Sequence, residues 1–263
     1  MSFFQNVDPL YALCGVLVGG IVGMTGVGGG SLMTPILILL FGINPTIAVG
    51  TDLLYASITK SGGALVHGFH RNIEWRVVGL LAMGSVPATA LTVLLLYLLQ
   101  INSDATRHLI TNVLGFALLF TAFSLLLRKP LMRWYAARVP DLNPWLVRNM
   151  TIIVGATLGV LVSLSSVGAG AVGVTALVML YPKMEARRIV GSDIAHAVPL
   201  TLVAGLGHSM LGTIDWHIFK SLLVGSIPAI IIASIVSARA SDTAVRVSLA
   251  IVLLLVVARF WFF

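Results

Sequence analysis

Gly26-Val27-Gly28-Gly29-Gly30-Ser31 lies in the middle of an uncharged, mostly apolar stretch running from about Pro9 to Phe41. A weaker copy, Ser165-Ser166-Val167-Gly168-Ala169-Gly170, recurs about 140 residues later. Together they read as a membrane helix opened twice. Opening a helix in lipid strips backbone N–H and C=O groups of their partners at several kcal/mol each, so it is tolerated only where protein or a polar cavity satisfies them again. The sequence therefore places a cavity, and with it a substrate site, at these two breaks.

The chain around the breaks is apolar enough to make lipid its solvent. Of its 263 residues 58% are hydrophobic and 10% charged, with a mean hydropathy of +1.04, which describes a multi-pass membrane protein. Met1 to Leu10 carry no Lys or Arg and precede no small-residue cleavage site, so no removable secretory signal is expected. Cys14 is the single cysteine, which excludes an intramolecular disulfide and a cysteine-based metal site. The net charge of +7 is carried by short connections, where it orients the chain against membrane lipid rather than binding nucleic acid.

The second half repeats the first. At an offset of 141, Val49-Gly50-Thr51-Asp52 falls on Val190-Gly191-Ser192-Asp193, His67 on His208, Ile73-Glu74-Trp75 on Ile214-Asp215-Trp216, and Gly84-Ser85-Val86-Pro87-Ala88 on Gly225-Ser226-Ile227-Pro228-Ala229. The glycine blocks align at 140, one insertion apart. This gives a first repeat over 1–127, a basic cytoplasmic linker over 128–147 and a second repeat over 148–263. Each repeat reads as a broken segment, 9–41 or 148–182, followed by three ordinary spans: 46–67, 77–99 and 106–127, then 187–211, 218–237 and 243–262. As single helices the broken segments would be about 50 Å long against a hydrocarbon core of about 30 Å.

Each broken segment either crosses once with an unwound middle or re-enters as a hairpin with its glycines at the tip. If all eight segments cross, the basic residues divide 9 inside to 6 outside. If the broken segments are hairpins, Lys183, Arg187, Arg188, Arg239 and Arg246 join the linker side while Lys220 and Arg259 leave it, and the split becomes 12 to 3. The positive-inside rule selects the second. The expected fold is thus all-α and polytopic: two inverted repeats, each a glycine-broken re-entrant helical hairpin plus three transmembrane helices, with both tips near the midplane.

Glycine-rich backbone at a helix start offers N–H groups to an anion, and the helix dipole adds positive charge in the same direction. The candidate substrate-binding set is Thr25, Gly26, Gly28, Gly29, Gly30 and Ser31 with Ser165, Ser166, Gly168 and Gly170, and with Lys60 as counter-ion. Thr34 and Ser163 add hydroxyls. Gly15, Gly19 and Gly23, and Gly155 and Gly159, have the small-residue spacing of helix packing instead. Asp52, Asp193 and His196 are the candidates for carrying a coupling proton or sodium ion, since a carboxylate within a span is costly unless paired, protonated or used in transport. Two plainer readings stand beside these. Thr51 and Ser192 would cap helices whose first turns hold the acids, and Lys60 would snorkel toward the headgroups. No phosphate-loop, dinucleotide or serine-elbow motif is complete, and neither a cofactor nor a metal is expected.

Gly23-Met24-Thr25-Gly26-Val27-Gly28-Gly29-Gly30-Ser31, Val49-Gly50-Thr51-Asp52 and Gly84-Ser85-Val86-Pro87-Ala88 resemble the TauE/SafE family of bacterial sulfite and organosulfur-anion transporters. The likeness runs over nearly the whole chain, with Ala169 and Ala171 departing from the glycine pattern in the copy. It implies an inner-membrane carrier for a small sulfur-containing or carboxylated anion such as sulfite, a sulfonate or thiosulfate, energised by an ion gradient. It also implies that the glycine block, Asp52 and Asp193 belong to the site. A passive anion channel is the alternative, and an intramembrane hydrolase built on Ser163 or Ser166 a remoter one.

Overall fold

The computed structural model describes residues 7–25, 30–99, 104–136, 143–236, 250–251 and 253–258. The described residues form helices and short connections. The helices are α1 (Pro9–Thr25), α2 (Gly30–Leu39), α3 (Pro45–Phe69), α4 (Trp75–Leu98) and α5 (Asp104–Ala136), then α6 (Pro144–Ser165), α7 (Ala171–Leu180), α8 (Ala186–Met210) and α9 (Trp216–Val236). Residues 250–251 and 253–258 are helical too. Both glycine-broken segments thus divide into a longer helix and a ten-residue one: α1 with α2, and α6 with α7.

Two helices differ from the hydropathy reading, one in length and one in apolarity. Helix α5 continues nine residues past the expected end of its span, through Pro130 to Ala136. Its basic residues are good helix formers, so the helix outlasts the apolar stretch. Five helices among the described residues are long and apolar enough to cross a membrane: Trp75–Leu98, His108–Leu127, Pro144–Ser165, Ala186–Met210 and Trp216–Ala233. α3 has the length, with 25 residues, but not the apolarity. It is buried almost continuously from Thr46 to Lys60, polar residues included, and so meets protein rather than lipid over that stretch. The last expected span lies largely outside the described residues.

Among the described residues, the main helix contacts of one half recur in the other. α1 lies along α9 as α6 lies along α4, α3 touches α9 as α8 touches α4, and α3 and α8 form the central pair. The contacts match residue by residue. Gly15 and Gly19 of α1 abut the backbones of Leu222 and Ser226, while Gly155 and Gly159 of α6 abut those of Leu81 and Ser85. Gly225 and Gly84 complete the two seams from the other side, against Ala12 and Ile152. These glycines are packing residues, absent side chains that let two helix axes approach.

The same contacts fix helix directions. Along α1 and α9 the numbering rises together, from Tyr11 against His217 to Gly19 against Ser226. α4 and α8 also run parallel, from the Glu74–Ser192 hydrogen bond (2.8 Å) through Ser85–His196 to Val93–Gly207. The central pair is antiparallel: Gly50 near the start of α3 meets Thr213 beyond the end of α8, Leu54 meets Gly205, and Asn72 beyond the end of α3 meets Gly191. α2 runs back along α3, with Thr34 opposite Asp52, and α7 runs back along α8, with Gly173 opposite Asp193.

Candidate functional site

The second break is the better described. α6 ends in Ser166, a non-glycine residue at φ 57°, and Gly168 and Gly170 follow at φ 120° and 123°. Only glycine reaches the latter conformations without strain. Ser165 stabilises the turn: its hydroxyl donates to the Leu161 carbonyl (2.7 Å) and accepts from the Val167 amide (3.1 Å). The next five amides, from Gly168 to Val172, donate no hydrogen bond among the described residues, although residues 165–171 are buried. A helix leaves its first amides unpaired as a rule, but in a buried setting those donors require an acceptor. They belong to the start of α7, where the helix dipole is positive.

At the first break, Thr25 closes α1 and Gly30 opens α2. Gly26, Gly28 and Gly29 lie outside the described residues, as do the side chains of Thr25 and Ser31.

Asp52 and Asp193 do not serve as first-turn acids. Asn44 caps α3, accepting the Thr46 amide at 3.0 Å, and Glu185 occupies the N-cap position of α8. Both aspartates therefore sit about two turns inside their helices, fully buried at 0% and 1% exposure. The capping reading fails because each helix begins about two turns earlier than the Gly-Thr or Gly-Ser pair suggested. Those pairs join the repeats instead. The Thr51 hydroxyl accepts the Asp215 amide (3.0 Å) at the start of α9, and the Ser192 hydroxyl accepts the Glu74 amide (2.8 Å) at the start of α4. Gly50 and Gly191 allow the approach, since a Cβ there would strike Thr213 and Asn72.

Each aspartate faces the ten-residue helix of its own repeat. Thr34 Oγ1 of α2 donates to Asp52 Oδ2 at 2.6 Å, and Ser166, at the opposite repeat's break, lies beside the same carboxylate. Asp193 Oδ1 rests against Gly173, the third residue of α7, where any side chain would displace it. One step further along, the Tyr55 hydroxyl faces Ser226, and its counterpart His196 places Nε2 2.8 Å from Ser85 Oγ. The repeated Gly-Ser block is thus a seam glycine followed by a serine facing the site.

Lys60 breaks the symmetry, since Thr201 holds the matching place. It is only 4% exposed, in the interior of α3, within electrostatic reach of Asp193, Asp52 and His196. No hydrogen bond or ion pair to its ammonium group is present among the described residues. That burial removes the snorkelling reading, which needs a charged end in the headgroup region. The remaining histidines are elsewhere. His208 spans Thr213 Oγ1 (2.9 Å) and the Ser163 carbonyl (3.1 Å), a bridge that orders the loop after α8. Ser163 itself donates to the Gly159 carbonyl (2.6 Å), and His67 packs against Gly191. Sequence reasoning assigned no role to Tyr55, Ser85, Ser226 or Gly173. The two serines were visible inside a repeated block, whereas Gly173 carried no signal.

The profile of the family described as "Sulfite exporter TauE/SafE" matches residues 11–260. The chain is 40% identical over 243 residues to "Probable membrane transporter protein YjnA" of Bacillus subtilis, covering 92% of this chain and 95% of that protein. It is 27% identical over 217 residues to "Probable membrane transporter protein YdhB" of the same organism, covering 80% and 82%. With "Probable membrane transporter protein MJ0441" of Methanocaldococcus jannaschii it shares 25% over 261 residues, covering 93% and 88%. No solved structure matches the chain.

Proposed function

The chain belongs to the sulfite exporter TauE/SafE family of membrane transporters, and from that premise we propose that it is a secondary active carrier of a small sulfur-containing or carboxylated anion, of the sulfite, sulfonate or thiosulfate class, driven by an ion gradient across the bacterial inner membrane. The observation that carries the reading is the break at 166–170, where the five successive amides from Gly168 to Val172, the first four on buried residues, donate no hydrogen bond among the described residues at the positive end of α7. A small oxyanion supplies several acceptor lone pairs and the opposite charge. Lys60 is the counter-ion, and Asp52, Asp193 and His196 carry the coupling ion.

The topology of this carrier is two inverted repeats with re-entrant hairpins. Three observations support it. α3 and its copy α8 run antiparallel, as inverted repeats require. α1 and α3 both run parallel to α9, while α2 returns along α3, so the chain turns back at the first break. The ion pair between Arg188 and Glu74 (2.7 Å) joins two connections that would lie on opposite faces if all eight segments crossed. Being half-exposed, that pair contributes little stability, and its value here is positional. The ten-residue α2 and α7 are about 15 Å long, half the hydrocarbon core, which sets their starts near the midplane. Access alternates as one repeat rocks against the other. Single cysteines replacing Lys129 and Lys183 should therefore label from the same side of the membrane in right-side-out vesicles. Labelling from opposite sides would sink the hairpin topology.

Transport itself is tested in proteoliposomes with radiolabelled sulfite, thiosulfate, sulfoacetate and small carboxylates, with imposed proton or sodium gradients. A carrier should accumulate at least one of them only under the gradient that drives it. Asp52→Asn and Asp193→Asn should each lose gradient-driven accumulation. Equal flux under every gradient, unchanged in both variants, would identify a passive channel instead.

A further inference from the structure

The break at Ser166 has two ends of opposite polarity. Its far side, the start of α7, carries the amides assigned above to the anion. Its near side is the end of α6, where the helix dipole is negative. There the carbonyls of Ser165 and Ser166, both on buried residues, receive no hydrogen bond among the described residues. Asp52, from the other repeat, comes to this break. Its Oδ2 accepts from Thr34 Oγ1, while its Oδ1 and the Ser166 hydroxyl lie buried with no hydrogen bond among the described residues. The two groups are close enough for the hydroxyl to act on the carboxylate, yet they are not aligned to bond each other. A serine beside a carboxylate can donate to it, and buried polar atoms left unpaired in this way call for a third partner.

Charge sets what that partner is. Among the described residues the buried side chains that carry formal charge are Asp52, Asp193 and Lys60, so with the histidines neutral one negative charge is in excess. An uncompensated charge in the interior is costly. A singly charged cation cancels the excess, whereas a divalent one reverses it. A singly charged anion entering alone would double the excess; entering with the cation, it leaves the interior as it was. A proton on Oδ1 would meet one acceptor at most, and the carbonyls ending α6 would stay unmet. A bare cation bonds several oxygens at once, and carboxylate, hydroxyl and main-chain carbonyl oxygens are what hard cations take. In inverted-repeat carriers generally, helix C-terminal ends and unwound carbonyls hold the coupling cation, as helix N-termini hold the anion.

We propose, resting on the ion-driven carrier reading above, that Asp52 Oδ1 and Ser166 Oγ, with main-chain carbonyls at the end of α6, bind one sodium ion that bridges the two repeats and travels with the anion. Thr34 is a positioning residue, holding the carboxylate by its other oxygen. The site is single: at the offset of 140 the places of Ser166 and Thr34 are held by Gly26 and Val174, neither of which has a hydroxyl to give.

The test is thermal unfolding of the purified full-length protein in detergent, with sodium chloride replacing choline chloride at constant ionic strength and potassium chloride in parallel. A ligand that binds the folded state raises its melting temperature with concentration. Wild type should show a saturable rise with sodium that potassium does not match. Asp52→Asn should lose the rise while melting in choline no lower than wild type, because a buried charge has been removed. Ser166→Gly suits the backbone at φ 57° at least as well as serine, and should raise the half-saturating sodium concentration about tenfold or more. Ser57→Ala, just over a turn beyond Asp52 with its hydroxyl on the Leu54 carbonyl, should respond as wild type does. Sodium that stabilises wild type no more than choline or potassium overturns the proposal, whether or not the variants fold. An unchanged half-saturation in folded Ser166→Gly, or a sodium response surviving in folded Asp52→Asn, overturns it equally. The carrier reading fails separately. Sodium stabilisation without gradient-driven uptake of any anion in proteoliposomes would keep the site and sink that reading, while uptake driven by a proton gradient alone would do the reverse.

Discussion

Lys60→Met is expected to reduce anion uptake into proteoliposomes by about 100-fold or more while the protein remains folded. A hydrogen bond to a charged group contributes about 1.5–3 kcal/mol, and each 1.4 kcal/mol is about tenfold in affinity. Removing the cation also leaves any bound anion facing Asp193 and Asp52 with no positive side chain between them. Folding should not suffer in proportion. Replacing a buried charge by an apolar side chain of similar volume is often neutral or stabilising, because the desolvation cost disappears with the charge. The melting temperature of Lys60→Met should therefore match or exceed that of wild type while uptake collapses. Lys60→Arg, which keeps the charge but spreads it over a planar fork, should recover part of the activity. A Lys60→Met protein with wild-type uptake would remove the counter-ion role. A protein that lost uptake and stability together would reduce Lys60 to a structural part of α3.

The repeat was the most informative feature of the sequence because each repeated block is a contact between the halves. Gly50-Thr51 and Gly191-Ser192 receive the turns before α9 and α4. Gly84 and Gly225 close the seams with α6 and α1. Ser85 meets His196, and Ser226 faces Tyr55. A pseudo-twofold interface uses every contact residue twice, so a contact in one copy appears in the sequence as a motif in both. Residues that act once leave no such trace. Gly173 is the clear case: it gives Asp193 its place, but one glycine in an apolar helix resembles any other. Lys60 was legible for the opposite reason, as a charge without a counterpart in the copy.

What hydropathy misread has a common cause. It asks whether a residue prefers lipid, while residues at the centre of the bundle never meet lipid. α3 carries Thr51, Asp52, Ser57, Thr59 and Lys60 in its buried stretch, and the hydroxyls of Thr51, Ser57 and Thr59 are met by other segments or by the helix itself. Thr59 and Ser57 bond their own backbone at Tyr55 (3.0 Å) and Leu54 (2.7 Å). The helix is therefore less apolar than its lipid-facing neighbours and more central. α5 errs in the other direction, because it continues as a helix after its apolar stretch has ended.

Gly155→Leu should cost more than any substitution on the lipid face, and its counterpart Gly15→Leu should behave alike. A Cβ on Gly155 would run into the carbonyl and Cα of Leu81, and one on Gly15 into the carbonyl of Leu222. The obstacle in both places is backbone, so no rotamer change relieves it. The helices would have to separate along the whole seam, α6 from α4 or α1 from α9. Overpacking of a buried site costs about 1–3 kcal/mol when side chains can adjust, and a backbone obstacle takes the cost above about 3 kcal/mol. Both variants should melt well below wild type and elute as aggregate in detergent. Gly79→Leu is the control on the same helix as Leu81: nothing lies within 4 Å of its Cβ position, so stability should change by no more than about 0.5 kcal/mol. The comparison separates glycines that serve packing from glycines that are incidental. It also weighs the two seams against each other, because the first runs toward the end of α1 at Thr25 and the second toward the break at Ser166. If the seams hold the two breaks equally, the two variants lose stability equally. A protein that tolerates leucine at Gly15 but not at Gly155 would make the seam between α4 and α6 the more rigid one and that between α1 and α9 the more yielding.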